Sequence, residues 1–191
     1  MTKLTITTAL IAVSIFSAQV NASNSYALNK KKHTVGLKTT FGSIKANSIP
    51  GEDGDVKLSL TPYYQYRLSK HWATSLDYIT GSSENTQYQF HDIVAPNKYD
   101  YKAAAWGVKG FTPIAERWSV YGQLSYLSYR LENTRIGYNN PFDVVDGSGY
   151  MLNAGIEFRA DNGFGAGFEY SSVDMGDITV NGLGIAINYT F

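Results

Sequence analysis

From His33 onward the chain alternates apolar and polar residues with a period of two, and no helical spacing persists beyond two turns after Ala22. Val35, Leu37, Thr39 and Phe41 share one face of an extended segment, with Gly36, Lys38, Thr40 and Gly42 on the other. The stretch from Val56 repeats this: Val56, Leu58, Leu60, Pro62, Tyr64, Tyr66 and Leu68 oppose Lys57, Ser59, Thr61, Tyr63, Gln65 and Arg67. Successive side chains of a strand point to opposite faces, so each segment reads as a two-faced strand. Six more follow, near 72–82, 100–112, 118–131, 148–159, 164–173 and 178–191, giving eight strands in all. The segments at 100–112 and 118–131 are the least regular, with Ala103-Ala104-Ala105 or Tyr126-Leu127-Ser128-Tyr129 as the candidate place for a bulge.

The connections alternate in length. Polar stretches near 46–55, 83–99 and 132–147 are long, whereas Ser69-Lys70-His71, Pro113 to Arg117 and Ala160-Asp161-Asn162-Gly163 are short, as is the last link around Asp174-Met175-Gly176-Asp177. Long loops at one end and tight turns at the other describe an up-and-down barrel.

The sign of the alternation decides which solvent the barrel meets. The less apolar face carries Lys38, Arg67, Asp77, Lys109, Glu157, Arg159 and Glu169, more charge than a soluble barrel can line its interior with cheaply. Charges inside and an apolar exterior fit a chain surrounded by lipid, where every backbone group must be paired and the sheet must therefore close. The predicted fold is an all-β, eight-stranded antiparallel up-and-down transmembrane β-barrel. A soluble lipocalin-like barrel or sandwich is the alternative.

The N-terminus agrees. Lys3 precedes an uncharged stretch with the apolar run Ala9 to Phe16 and ends at Val20-Asn21-Ala22, which reads as a signal peptide too short to span a bilayer as a helix. The expected division is a signal peptide over 1–22, a periplasmic segment over 23–32 and an outer-membrane barrel over 33–191, with a cut after Ala27 left open. The chain lacks cysteine, so no disulfide staples the fold despite export. Basic and acidic residues balance at 16 each, which gives no reason to expect nucleic acid as a partner. The predicted location is the bacterial outer membrane.

Aromatics fall at strand ends. Trp72, Trp118 and Phe164 begin segments after short turns, and Phe111, Phe158 and Phe191 end segments on that side, so these form one predicted girdle. Phe41, Tyr78, Tyr101, Tyr150 and Tyr170 form the opposite one, where amphipathic rings straddle the lipid boundary.

The run Gly149 to Phe158, the pattern Gly167-Phe168-Glu169-Tyr170 and the ending Gly184-Ile185-Ala186-Ile187-Asn188-Tyr189-Thr190-Phe191 resemble the small outer-membrane barrels of the outer-membrane protein X and Ail type, as does Trp118-Ser119-Val120-Tyr121-Gly122. The resemblance is best over the last four strands. It implies insertion by the outer-membrane assembly machinery, with Tyr189 and Phe191 as the C-terminal signal, a polar interior and loops that make surface contacts. Some members of that group serve adhesion or resistance to host defence.

The inward charges read first as an ion-pair core, because an eight-stranded lumen is just wide enough for side chains to fill; a solute path is the less favoured reading. His33, His71 and His91 are scattered, without the spacing of a metal site. An enzyme acting on lipid A needs a nucleophile and base near the outer leaflet, where only His91 lies, with Ser82, Ser83, Glu84 and Asp92 near it in sequence. The acidic turn Glu52-Asp53-Gly54-Asp55 lacks calcium-loop spacing. Lys30-Lys31-Lys32 is placed at the periplasmic interface.

The expectation is thus a monomeric, non-enzymatic barrel without cofactor. Its partners are outer-membrane lipids and lipopolysaccharide, the assembly machinery, and a host or cell-surface ligand at the loops. A lipid A modifying enzyme and a narrow porin-like channel are the alternatives.

Overall fold

The computed structural model describes residues 31–46, 53–84, 97–135, 143–176 and 178–191. The expected signal peptide, Lys30 and His91 lie outside the described residues. Eight strands, β1 (His33–Ala46), β2 (Asp53–Arg67), β3 (Trp72–Glu84), β4 (Asn97–Pro113), β5 (Trp118–Arg135), β6 (Asp143–Arg159), β7 (Phe164–Met175) and β8 (Ile178–Thr190), follow in chain order. Each pairs antiparallel with its sequence neighbour, and β1 with β8, so the sheet closes into a barrel without a free edge. No helix among the described residues is long and apolar enough to cross a membrane.

The strands run into the stretches expected as loops: β2 begins at Asp53, β3 reaches Glu84, β4 begins at Asn97, β5 reaches Arg135 and β6 begins at Asp143. Paired backbone therefore continues past the aromatic rows on the long-loop side. The ladder between β4 and β5 is unbroken from Asn97↔Arg135 to Pro113↔Ser119, which corrects the bulge expected there. The irregularities lie instead at Thr40/Gly42 on β1 and at Val56/Leu58 on β2, where the strands emerge toward the first long loop.

Two turns depend on a left-handed backbone. Gly163 at φ 98° closes the β6–β7 turn and Gly176 at φ 73° the β7–β8 turn, a region open to glycine without steric cost. Asp174 Oδ1 accepts the Gly176 amide at 2.9 Å.

The outward face is apolar as the alternation predicts: Leu37, Leu60, Leu76, Trp106, Leu124, Leu152, Phe168 and Ile185 are all exposed. Inside, four tyrosines reach over the glycines directly opposite them in the ladder: Tyr63 over Gly36, Tyr101 over Gly81, Tyr121 over Gly155 and Tyr129 over Gly147. A Cβ at any of those glycines would stand 2.3–2.9 Å from the nearest ring carbon. The absent side chain is what lets each ring fold over its neighbour's backbone and fill the lumen.

Candidate functional site

The seven charges predicted to face inward do so, and six of them are less than a tenth exposed: Lys38, Asp77, Lys109, Glu157, Arg159 and Glu169. Period two puts them there, because each shares a face with the small or polar inward residues of its own strand. The strands then bring them into two clusters. In one, Lys38 Nζ lies 2.9 Å from Asp77 and 3.6 Å from Glu169. Gln123 Nε2 donates to Asp77 Oδ2 at 3.0 Å, and Tyr121 Oη donates to Glu169 Oε2 at 2.6 Å. In the other, Lys109 Nζ donates to Glu157 Oε2 at 3.3 Å and the Arg159 guanidinium pairs with the same carboxylate.

These are four cations, counting Arg67, against three carboxylates. Aromatic faces meet the excess. Lys109 Nζ sits 3.6 Å from the Tyr121 ring centre and 5.0 Å from that of Phe111; Arg67 lies 4.7 Å from Phe111 and Lys38 5.1 Å from Tyr63. The negative face of an aromatic ring attracts a cation, more so where water is excluded.

The inward aromatics correct two expectations. Phe111 and Tyr101 are not girdle residues: they point into the lumen, 5% and 2% exposed. The signal was legible, because Tyr101, Lys109 and Phe111 have the same parity on β4, and an inward Lys109 carries the other two inward with it. Trp106 and Val108 take the outward face instead.

A second feature escaped sequence reasoning. Toward the long-loop end the lumen is apolar: Ile44, Ile79, Tyr101, Leu127, Tyr129, Leu131, Met151, Val173, Met175, Ile178 and Val180 pack into one buried cluster. The interior thus has a charged tier near the short turns and an apolar tier above it. The alternation alone could not reveal the second tier, because its aliphatic residues look the same as lipid-facing ones until parity is fixed strand by strand.

At the short-turn end, Trp72, Trp118 and Phe164 are about half exposed on the outside, and Phe158 packs on Trp118 with ring centres 5.2 Å apart. His33 stacks on Phe191 at 5.7 Å, and their backbones exchange two hydrogen bonds of 3.0 and 2.8 Å across the β1–β8 seam. Tyr189 stacks on Phe191 at 6.4 Å. Lys31 donates to the Asn162 carbonyl at 3.2 Å, tying the segment before β1 to the β6–β7 turn. Phe41, Tyr78, Tyr126, Tyr150 and Tyr170 are exposed nearer the long loops.

Above that row, four residues beyond Tyr126 on β5, Arg130 holds Asp146 through two bonds of 2.8 and 3.0 Å. These hydrogen bonds from the guanidinium keep the Asp146 carboxyl below its ordinary range, partly offset by desolvation. Of the groups weighed for lipid A chemistry, Ser82 lies on β3 opposite Asp100, whereas His91 and Asp92 are outside the described residues.

Residues 8–191 match the family model described as the outer membrane protein beta-barrel domain. The fold is similar to the crystal structure of Ail, the attachment invasion locus protein of Yersinia pestis, in complex with the heparin analogue sucrose octasulfate: 14% identity, covering 84% of this chain and 99% of that one, with a TM-score of 0.57. It is similar also to Neisserial surface protein A, at 13% identity over 83% and 97% of the two chains, TM-score 0.56. No curated protein matches by sequence.

Proposed function

Because the chain belongs to the outer membrane protein β-barrel domain family and stands in the bacterial outer membrane, we propose that it is a monomeric, non-enzymatic surface protein whose strands are an anchor and whose long loops recognise a partner. The observation that carries this reading is the filled lumen. A charged tier and an apolar tier occupy its length, so the interior is built as a core and not as a path. Recognition then falls to the loop stretches beyond the aromatic row, which the closed barrel holds in place.

The loops also bear on the partner's chemistry. The stretches 46–55, 83–99 and 132–147 contain Glu52, Asp53, Asp55, Glu84, Asp92, Glu132, Asp143 and Asp146, eight carboxylates, against only Lys98 and Arg135 as bases. Ail's crystal structure holds a heparin analogue; a sulfated polyanion is a poor match for these loops, and a cationic or neutral surface a better one. Along the strands the partners are outer-membrane lipids and lipopolysaccharide. Tyr189 and Phe191 serve as the signal read by the assembly machinery, and Lys38, Arg67, Asp77, Lys109, Glu157, Arg159 and Glu169 as the internal ion-pair core that stiffens the anchor.

The test is loop exchange. Cells displaying variants with each long loop replaced by a Gly-Ser linker are assayed for binding to host cells and matrix, with heat-shifted gel migration confirming the barrel. Loss of binding with one exchange, the barrel intact, is the expected result. Unaltered binding with all three exchanges, lipid A whose mass depends on the protein, or single-channel conductance through the lumen would each overturn the reading.

A further inference from the structure

Between the two tiers lies a cavity of about 20 Å³, lined in part by Lys38, Ser59, Tyr101, Asn153, Glu169 and Ser171. Asn153 is the unusual member. It is 1% exposed, on β6 opposite Gln123 of β5 and Ser171 of β7. Neither its Oδ1 nor its Nδ2 has a hydrogen-bond partner within the protein. A carboxamide offers two donors and one strong acceptor, and buried groups of this kind are almost always satisfied, by protein or by ordered water.

The cavity has the size and lining to supply that partner. One water needs roughly 10–15 Å³ of such space and two to four polar neighbours, and the Ser59 and Ser171 hydroxyls, the Lys38 ammonium and the Glu169 carboxylate border the same space as Asn153. Other occupants fit worse. Lys38 disfavours a metal cation, Glu169 disfavours an anion, and the unmet amide disfavours a dry apolar void. Ile79, Met151 and Val180 border the cavity on the side of the apolar tier.

We propose that this cavity is an internal hydration site, taking one or two water molecules that join Asn153 to the Lys38–Glu169 cluster beneath the apolar tier. The site explains why an asparagine stands at a fully enclosed position with no protein partner, and it extends the polar network of the charged tier by one layer. It does not depend on what the loops bind.

A crystal structure of the unaltered protein, at a resolution that shows ordered water, is the direct test. Density for an oxygen within hydrogen-bonding distance of the Asn153 amide is expected. A cavity without density, or an amide turned directly onto Ser171 or Gln123, overturns the proposal. In solution, the protein in lipid nanodiscs should show magnetisation transfer from water to the Asn153 side-chain amide protons with the sign of a long-lived water. Absence of that transfer from the assigned amide counts against the site. Asn153→Leu, its barrel confirmed by heat-shifted migration, should lose the density; a water that persists there unchanged would show that Asn153 does not hold it.

Discussion

Replacing Lys38 with Met isolates the contribution of the buried charges. Its ammonium is the only cation within ion-pair distance, among the described residues, of both Asp77 (2.9 Å) and Glu169 (3.6 Å), and the three side chains are at most 5% exposed. Removing one partner of a buried pair leaves its counterpart charged, desolvated and unpaired, at about 3–5 kcal/mol. Asp77 keeps the Gln123 amide at 3.0 Å and Glu169 keeps the Tyr121 hydroxyl at 2.6 Å. Each is a single bond to a neutral donor, and neither supplies a counter-charge. The expected cost therefore stays within that range, roughly two to four powers of ten in the unfolding equilibrium. Urea unfolding in lipid vesicles, followed by tryptophan emission, reads it: Trp72, Trp106 and Trp118 are all exposed on the outer face and leave lipid when the barrel opens. The triple variant Lys38→Met/Asp77→Asn/Glu169→Gln removes the stranded charges and should recover more than half of the loss. A Lys38→Met cost under about 1 kcal/mol, the range of an exposed pair, would refute the reasoning, as would a triple variant no more stable than the single one.

Three further outcomes follow from the geometry. Gly81→Ala places a Cβ 2.2 Å from Tyr101 Oη and should destabilise by about 1–3 kcal/mol through overpacking; adding Tyr101→Leu should cost less than the two changes separately in the same urea assay. Asp146 should titrate below the ordinary carboxylate range by NMR, because Arg130 favours its ionised form; the stabilisation this brings is present above the unfolded-state midpoint, near pH 4, and is lost as pH falls through the lower folded midpoint. Arg130→Gln should return Asp146 to its ordinary range, and an unmoved midpoint would sink that assignment. Deleting Phe191 removes its two backbone bonds to His33 and its ring contacts with His33 and Tyr189, and should lower the fraction of protein recovered as heat-shifting barrel from outer membranes; normal insertion would count against a signal at that residue.

The barrel itself was legible because alternation recurs along the chain, with charge on the inner face of six of the eight strands, and lipid is the solvent that suits that arrangement. What resisted reading was local. Tyr101 and Phe111 sit at strand ends where girdle aromatics are expected, and only the parity they share with Lys109 separates an inward ring from an outward one. A bulge was expected in β4 or β5, where the alternation is least regular. The irregularities occur at Thr40/Gly42 in the β1–β2 ladder and at Val56/Leu58 in the β2–β3 ladder; on its other side Gly42 meets β8 closely, where a Cβ would stand 1.9 Å from the Asn181 carbonyl oxygen. Pairing between strands, such as Lys109 with Glu157 two strands away, depends on register and shear, which a single chain's alternation does not encode.

The two halves of the charge distribution act over different distances. Inside, Lys38, Lys109 and Arg159 are paired with the three carboxylates and Arg67 is faced by the Phe111 ring within a closed wall, so most of the charge is offset locally and serves stability. The long-loop stretches carry eight carboxylates and only Lys98 and Arg135 as bases; Arg130, just outside them, offsets Asp146 through its ion pair, which leaves seven carboxylates against two bases. A field of that kind acts over about 8–10 Å at physiological salt and mainly sets how fast an oppositely charged partner arrives. If the loops recognise a cationic surface, exchanging carboxylates for amides at Glu52, Asp53 and Asp55 should slow association and flatten its salt dependence while leaving dissociation nearly unchanged. Surface plasmon resonance on the protein in nanodiscs, with a partner identified through the loop exchanges, separates the two rates. A change confined to dissociation would mean that these carboxylates make direct contacts and do not steer.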